Sequence, residues 1–283
     1  MGAMTRKMPV YELNDGIHVP VMGFGTYNLR GEAGVKAIHS AVDYGYRLLD
    51  SAFNYENEGA VGKAVRTCGV PRDQMRVCSK LPGRHQRYRA ARTAIEESLY
   101  RTGLDYYDLY LIHWPNPSKD LYSQAWEALI DAKERGLVRS IGVSNFLPEH
   151  LDRLIDDTGV APSVNQIELH PYFPQRRQRG ADNVRGIRTQ SWSPLGRASA
   201  VLKEPEVVDI AQQHGKSVAQ VIVRWHIQLG SIPIPKSAHP ARQEENIDVF
   251  DFELTSAQMA TISGLGREDG RTEEQDPAVY EEF

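Results

Sequence analysis

Apolar and polar positions follow two rhythms along the chain. Short, β-rich apolar runs occur at 20–24, 47–50, 75–79, 107–112, 138–143, 163–168, 187–191 and 231–235. Amphipathic stretches lie between them, at 31–44, 57–66, 87–101, 121–135, 147–156, 203–214 and 240–247. Within 121–135, Leu121, Ala125, Leu129 and Ala132 recur at helical spacing, while Glu127, Asp131 and Lys133 fall off that stripe. Strand followed by helix, eight times over, predicts an α/β protein of the (β/α)8 TIM-barrel class. An open doubly wound sheet is the competitor, but it carries only about five or six parallel strands. Before the barrel, Tyr11-Glu12-Leu13 and His18-Val19-Pro20 flank Asn14-Asp15-Gly16, which predicts a β-hairpin with a two-residue Asp-Gly turn. After it, 255–264 reads as an extra helix, and the polar tail 266–283 as an irregular segment over one barrel mouth. One stretch breaks the rhythm. The segment 175–188 is arginine-rich where an apolar stripe belongs, and Gly180 costs its helix roughly 1 kcal/mol relative to Ala. A short or distorted helix is expected there, with Arg188 paired or reaching a barrel end.

Composition narrows the class. No linker or shift in composition divides the 283 residues, so 1–283 is read as a single barrel domain. A hydrophobic content of 41% excludes global disorder, and a net charge of −4 with no basic block argues against nucleic acid. No apolar run approaches the roughly 18 residues a membrane span needs, and the first residues lack the apolar core of a secretion signal. Cys68 and Cys78 cannot form a disulfide framework and suit a reducing compartment. The histidines have no metal-ligand spacing. A cytoplasmic, monomeric, metal-free enzyme is the expectation.

The chemistry is sought where barrels place it, at the C-terminal ends of the strands. Strand two ends in Asp50, strand three in Lys80 and strand four in His113-Trp114. Strand five ends in Ser144-Asn145, strand six contains Asn165, Gln166 and Glu168, and the last two lead to Trp192-Ser193 and Lys236-Ser237. Buried charges at strand ends are expensive unless paired, so their clustering at one mouth marks a site. Asp50, Lys80, His113 and the loop residue Tyr55 follow three adjacent strands and should converge. A phenol ordinarily titrates near pH 10; a lysine ammonium beside it favours phenolate and makes Tyr55 a usable proton donor. Asp50 can fix Lys80, and His113 can hydrogen-bond a carbonyl oxygen. This set protonates a carbonyl oxygen while hydride arrives at carbon. A barrel hydrolase using Asp50 and Glu168 as a carboxylate pair is the alternative, but it leaves Tyr55, Lys80 and His113 without a role.

Longer motifs extend the reading. GFGTYN (23–28), YRLLDSAFNYENEGAVGKAV (46–65), LDYYDLYLIHWP (104–115), GLVRSIGVSNF (136–146), VNQIELHPYFPQ (164–175), SWSPLG (191–196) and IPIPKSAHPARQEEN (232–246) occur in order. Together they resemble the aldo-keto reductase superfamily over nearly the whole chain, and in particular its short-loop prokaryotic branch, which includes 2,5-diketo-gluconate reductases. The resemblance implies a barrel that binds NADPH without a Rossmann fold and reduces aldehydes and ketones. It assigns catalysis to Asp50, Tyr55, Lys80 and His113, with Tyr55 as general acid in reduction. It implies that the nicotinamide stacks on Trp192, with its carboxamide on Ser144, Asn145 and Gln166. Gly25, Thr26 and Asp50 would line the nicotinamide side, and Ser193 and Leu195 the pyrophosphate. Lys236, Ser237 and Arg242 match the positions for the adenosine 2′-phosphate, and Asn246 the adenine contact. A phosphate of nearly two negative charges suits Lys236 as a point charge and Arg242 as a planar fork. Tyr27, Phe53, Asn54, Trp114 and the tail would wall the substrate pocket, and short loops favour a small polar aldehyde, α-dicarbonyl or keto-sugar. Arg84 and His85 are placed to attract an anionic substrate group, or simply to solvate their loop.

Overall fold

A computed structural model describes residues 8–198 and 200–282. The chain opens with an antiparallel hairpin, β1 (Val10–Glu12) and β2 (His18–Pro20), in the register Tyr11 opposite Val19. Its connection is the three residues 14–16 rather than a two-residue turn: Gly16 N–H donates to Leu13 O and Leu13 N–H to Ile17 O. Gly16, at φ +80°, takes the left-handed position that closes a three-residue loop. Leu13 and Val19 then pack with Leu48, Cys78, Leu109, Leu111, Val164 and Ile232, so the hairpin stoppers the N-terminal end of the barrel interior.

The described residues form eight parallel barrel strands. In chain order, with their helices, they are β3 (Phe24–Gly25), α1 (Gly31–Asp43), β4 (Leu48–Asp50), α2 (Glu58–Thr67), β5 (Arg76–Leu81), α3 (Tyr88–Thr102), β6 (Tyr107–Ile112) and α4 (Tyr122–Glu134). Then follow β7 (Val138–Ser144), α5 (Pro148–Thr158), β8 (Val164–Glu168), α6 (Arg176–Val184) and β9 (Arg188–Trp192). The chain continues through α7 (Pro205–His214), α8 (Val218–Gln228), β10 (Ile232–Pro233), α9 (Pro240–Ile247) and α10 (Ser256–Gly264). Each strand pairs with the next, and Gly23 N–H to Pro233 O with Gly25 N–H to Pro235 O, both 3.0 Å, close the ring. The (β/α)8 barrel expected from the apolar rhythm, with its hairpin before and extra helix after, is the observed fold. Alternation explains β6: Leu109 and Leu111 join the interior, while Tyr110 and Ile112 face the layer of Ile95, Leu99, Ala125 and Leu129 on the surrounding helices.

Two elements depart from the simple rhythm. Between β9 and β10 stand two helices, and α8, opened by a Ser217–Gln220 capping box, buries Val221, Ile222, Val223, Trp225 and His226. The arginine-rich α6 is short, as expected, and it turns polar rather than apolar residues inward. Its buried Asp182 accepts from Asn165 Nδ2 (3.0 Å), Gln178 Nε2 (2.9 Å) and Thr189 Oγ1 (2.8 Å). Burial pushes the Asp182 carboxyl up to about 6, against the pull of those three donors. Arg188 lies at the stoppered end, its guanidinium 4.3 Å from the Tyr11 ring centre and its Nη1 donating to Gly230 O at 3.1 Å.

Packing of α2 on α3 sets one stability test. A Cβ on Gly62 would collide with the backbone of Thr102, whereas Gly180 in α6 faces open space. Gly62→Ala is therefore expected to destabilise by about 1–3 kcal/mol despite the better helix propensity of Ala. Gly180→Ala should stabilise by roughly 0.5–1 kcal/mol. Urea unfolding of the two variants checks both signs.

Candidate active site

Three strand ends and the turn after one of them deliver the catalytic candidates to one place. Asp50 closes β4, Lys80 sits near the end of β5, and His113 follows β6. Tyr55 ends a single 3-10 turn, Phe53–Tyr55, directly after β4. Lys80 is fully buried, and its Nζ donates to Asp50 Oδ2 at 2.7 Å and to Ser51 O at 2.8 Å. The same nitrogen lies 5.0 Å from the centre of the Tyr55 ring. The Tyr55 ring meets His113 edge-on at 6.0 Å, and Tyr27 at 5.1 Å. The other Asp50 oxygen accepts from Gln166 Nε2 at 2.8 Å. The four residues thus converge as their strand positions predicted.

The electrostatics differ from the expectation in one respect. Lys80 does pull the Tyr55 phenol down, but burial pushes it up more strongly and Asp50 adds to the rise, so Tyr55 lies above the usual phenol range. Burial also works to lower Lys80; Asp50, Tyr55 and Cys78 outweigh it, and the ammonium is held above its ordinary value. A phenol above its usual range keeps its proton at neutral pH, and the ammonium beside it stabilises the phenolate once that proton leaves.

The residues expected at the cofactor gather along the same face. Ser144 Oγ donates to Gln166 O (2.8 Å), Asn145 Nδ2 to Ser144 Oγ (3.0 Å) and His113 O (3.0 Å), and Trp192 Nε1 to Asn145 Oδ1 (2.7 Å). The Trp192 ring is half-buried at the end of β9, with Ser193 and Leu195 in the loop that follows. Thr26 is fully buried and donates its hydroxyl to Asp50 O at 2.8 Å, while Asn57 Nδ2 holds the Thr26 carbonyl at 2.7 Å. Thr26 and Asn57 therefore brace the Asp50 strand end, a role the sequence did not reveal for Asn57. Gly25 lies against Ile234 and Lys236 of the β10 end, where a Cβ would be tightly crowded. Beyond β10, Lys236 and Arg242 are exposed, and Ser237 and Asn246 are buried around them. Among the described residues neither Lys236 nor Arg242 has a side-chain hydrogen bond or ion pair, so both charges are available to an anion.

The tail crosses the same mouth. Thr272 N–H donates to Glu168 Oε1 (2.7 Å), Tyr280 packs on Trp114 (4.5 Å between ring centres), and Ser118 N–H donates to Glu281 Oε1 (2.6 Å). Trp114 is consequently buried beneath Tyr280, while Tyr27 is 55% exposed and forms the open side. Arg84 Nη1 donates to Asn54 Oδ1 at 2.5 Å and its guanidinium lies 5.2 Å from the Phe53 ring centre, so it is engaged with the loop that carries Tyr55. Glu282 is buried and reaches His113. Sequence pattern gave no signal for it, since the tail has no periodicity, although an aromatic at 280 in a polar stretch hints at docking.

Comparison with known proteins agrees with this geometry. The Aldo/keto reductase family model matches residues 21–267. The chain is 55% identical to 2,5-diketo-D-gluconic acid reductase B of Corynebacterium sp. (strain SHS752001), over 98% of this chain and 99% of that one. It is 44% identical to morphine 6-dehydrogenase of Pseudomonas putida, over 93% of each. Among solved structures, an aldo/keto reductase from Brucella melitensis superposes with a TM-score of 0.88 at 46% identity, covering 91% of this chain and 99% of the other. A variant of Gox0644 in complex with NADPH gives a TM-score of 0.92 at 41% identity, over 97% and 99%. With its barrel, its converging strand-end residues and these relatives, the chain belongs to the aldo/keto reductase family.

Proposed function

We propose that the protein reduces small polar aldehydes, α-dicarbonyls or keto-sugars to alcohols with NADPH. The observation that carries the reading is the buried Asp50–Lys80 pair set beneath Tyr55, with His113 at the edge of the Tyr55 ring. Bound NADPH supplies the hydride. Tyr55 gives its proton to the carbonyl oxygen, and Lys80 holds the phenolate that remains. Asp50 keeps Lys80 in place, and His113 orients the carbonyl. Trp192 offers a ring face to the nicotinamide, and Ser144, Asn145 and Gln166 share their hydrogen bonds with its carboxamide. Gly25 and Thr26 lie on the nicotinamide side, Ser193 and Leu195 at the pyrophosphate, and Asn246 at the adenine. Tyr27 and Trp114 wall the substrate side. Asp50 and Glu168 are poor candidates for a hydrolytic pair, because Asp50 is taken by Lys80 and Gln166, and Glu168 Oε1 by His170 and Thr272.

The test is a carbonyl panel scored by kcat/KM with NADPH and with NADH. Lys236→Ala and Arg242→Ala should each raise KM for NADPH about 10–100-fold, as loss of one charge-assisted contact does, and leave KM for NADH nearly unchanged. A wild-type preference for NADH would overturn the assignment of these two residues to a 2′-phosphate. Absence of turnover across the panel would overturn the reductase reading.

A further inference from the structure

One buried histidine has no part in the proposed chemistry. His226 of α8 has no exposed surface, and the Trp225 ring meets it edge-on at 4.7 Å. Both of its ring nitrogens are engaged. Nδ1 lies 3.1 Å from Ser191 Oγ, and Nε2 lies 3.1 Å from Pro194 O. A carbonyl oxygen can only accept, so Nε2 carries the proton. Burial, with smaller pushes from His170 and Arg179, brings the imidazole down to about 3 against the pull of the Pro194 carbonyl, so the ring stays neutral. Its Nδ1 then holds a lone pair and accepts from the Ser191 hydroxyl, which in turn accepts from Ser231 Oγ.

These two bonds grip the chain on either side of Trp192 and Ser193. Ser191 and Pro194 are buried, while Trp192 and Ser193 between them are half-buried at the C-terminal end of β9. Ser193 takes a left-handed backbone, φ +48°, which a residue other than glycine keeps only where its surroundings impose it. Gly196 N–H donates to Ser193 O at 2.8 Å and closes the turn that follows. We propose that His226 is a positioning residue for the cofactor: it holds Ser191 and Pro194 from behind, so that the Trp192 ring and the Ser193 turn stand in their receiving conformation before the dinucleotide arrives. Affinity gains because the segment need not be ordered in the binding step. The gain belongs to the parts that NADPH and NADH share, the nicotinamide and the pyrophosphate, and not to the 2′-phosphate. The inference rests on the assignment of Trp192, Ser193 and Leu195 to the cofactor.

The experiment is fluorescence titration of NADPH and of NADH into wild type, His226→Gln, His226→Asn and Ser191→Ala, with urea unfolding of each and kcat for methylglyoxal at saturating NADPH. The Gln amide nitrogen reaches the position of Nε2 and can donate to Pro194 O; the shorter Asn amide reaches only the position of Nδ1. His226→Asn should raise Kd for both cofactors by the same factor, about tenfold, as loss of one hydrogen bond does. Its kcat at saturating NADPH should not fall, because bound cofactor reimposes the conformation. His226→Gln should stay within about threefold of wild type. Both variants leave a polar amide in the same buried place, so a merely structural histidine predicts that they lose stability alike and bind alike. If both bind the cofactors as wild type does, or if the two weaken binding equally, the proposal is wrong. A rise in Kd for NADPH alone would also overturn it, since only the 2′-phosphate distinguishes the two nucleotides. Ser191→Ala removes the other grip and should raise both values about threefold. It decides the matter where His226→Asn does not fold, unchanged values then overturning the proposal. A wild type that binds neither cofactor would overturn the underlying reading of the site as well. A wild type that binds both, beside an unaffected His226→Asn, sinks this inference alone.

Discussion

Tyr55→Phe is expected to lower kcat for carbonyl reduction by about 10²–10⁴-fold, the range that a positioned general acid contributes. The variant removes one oxygen and leaves the ring, so its edge contacts to Tyr27 and His113 persist. NADPH affinity should be nearly unchanged, because the phenol oxygen is not among the groups assigned to hold the cofactor. Lys80 stays paired with Asp50 in the variant, so folding should also be intact. Burst and steady-state kinetics with methylglyoxal, beside a fluorescence titration of NADPH, separate the two effects. Near-wild-type turnover would remove Tyr55 from the role of acid. A loss confined to KM would mean that the hydroxyl binds substrate in the ground state and transfers no proton.

Asp50→Ala is expected to cost about 3–5 kcal/mol of stability in addition to activity. Lys80 has no exposed surface, and removal of its partner strands an ammonium in the barrel with no carboxylate to pair it, Ser51 O and the Tyr55 phenol being left beside it. The Gln166 amide loses its acceptor on the same carboxylate, though Gln190 Oε1 at 3.0 Å remains to it. The asymmetry of buried ion pairs supplies the control. Replacing both members with apolar side chains, Asp50→Leu with Lys80→Met, should recover most of the lost stability and leave the enzyme inactive. Thermal and urea unfolding measure the first effect, and NADPH oxidation the second. A single Asp50→Ala variant as stable as wild type would show that water reaches Lys80 and that the pair is not sealed.

The barrel was legible in the sequence because its strands are buried on both faces and its helices on one. That contrast turns each strand into a short apolar run and each helix into a stripe, as Leu109–Leu111 and Leu121–Ala132 show. The rhythm failed where packing is polar. α6 has no stripe because Gln178 and Asp182 face inward onto Asn165 and Thr189, a solution visible only once β8 and β9 are side by side. Strand-end logic located Asp50, Lys80 and His113, and the loop placed Tyr55, because barrel topology alone brings adjacent strand ends together. The direction in which Tyr55 shifts was not legible, since it depends on how much water the finished fold removes from the ring. Glu282 was not legible either: its partners Asn54 and Gly83 lie about two hundred positions away in the chain, and no local pattern encodes that contact.

Gly83 gives that last contact a meaning for protein engineering. C-terminal segments invite exchange between relatives as a way to change substrate range, on the assumption that they are grafts onto a passive rim. Here the rim is keyed. The missing side chain at 83 opens the space the Glu282 backbone occupies, and Asn116 clasps that backbone by both its N–H and its carbonyl. A recipient barrel with any larger residue at this position would force the incoming segment onto another path, and the acid would miss the histidine. Transplanting the tail thus means transplanting positions 83 and 116 with it.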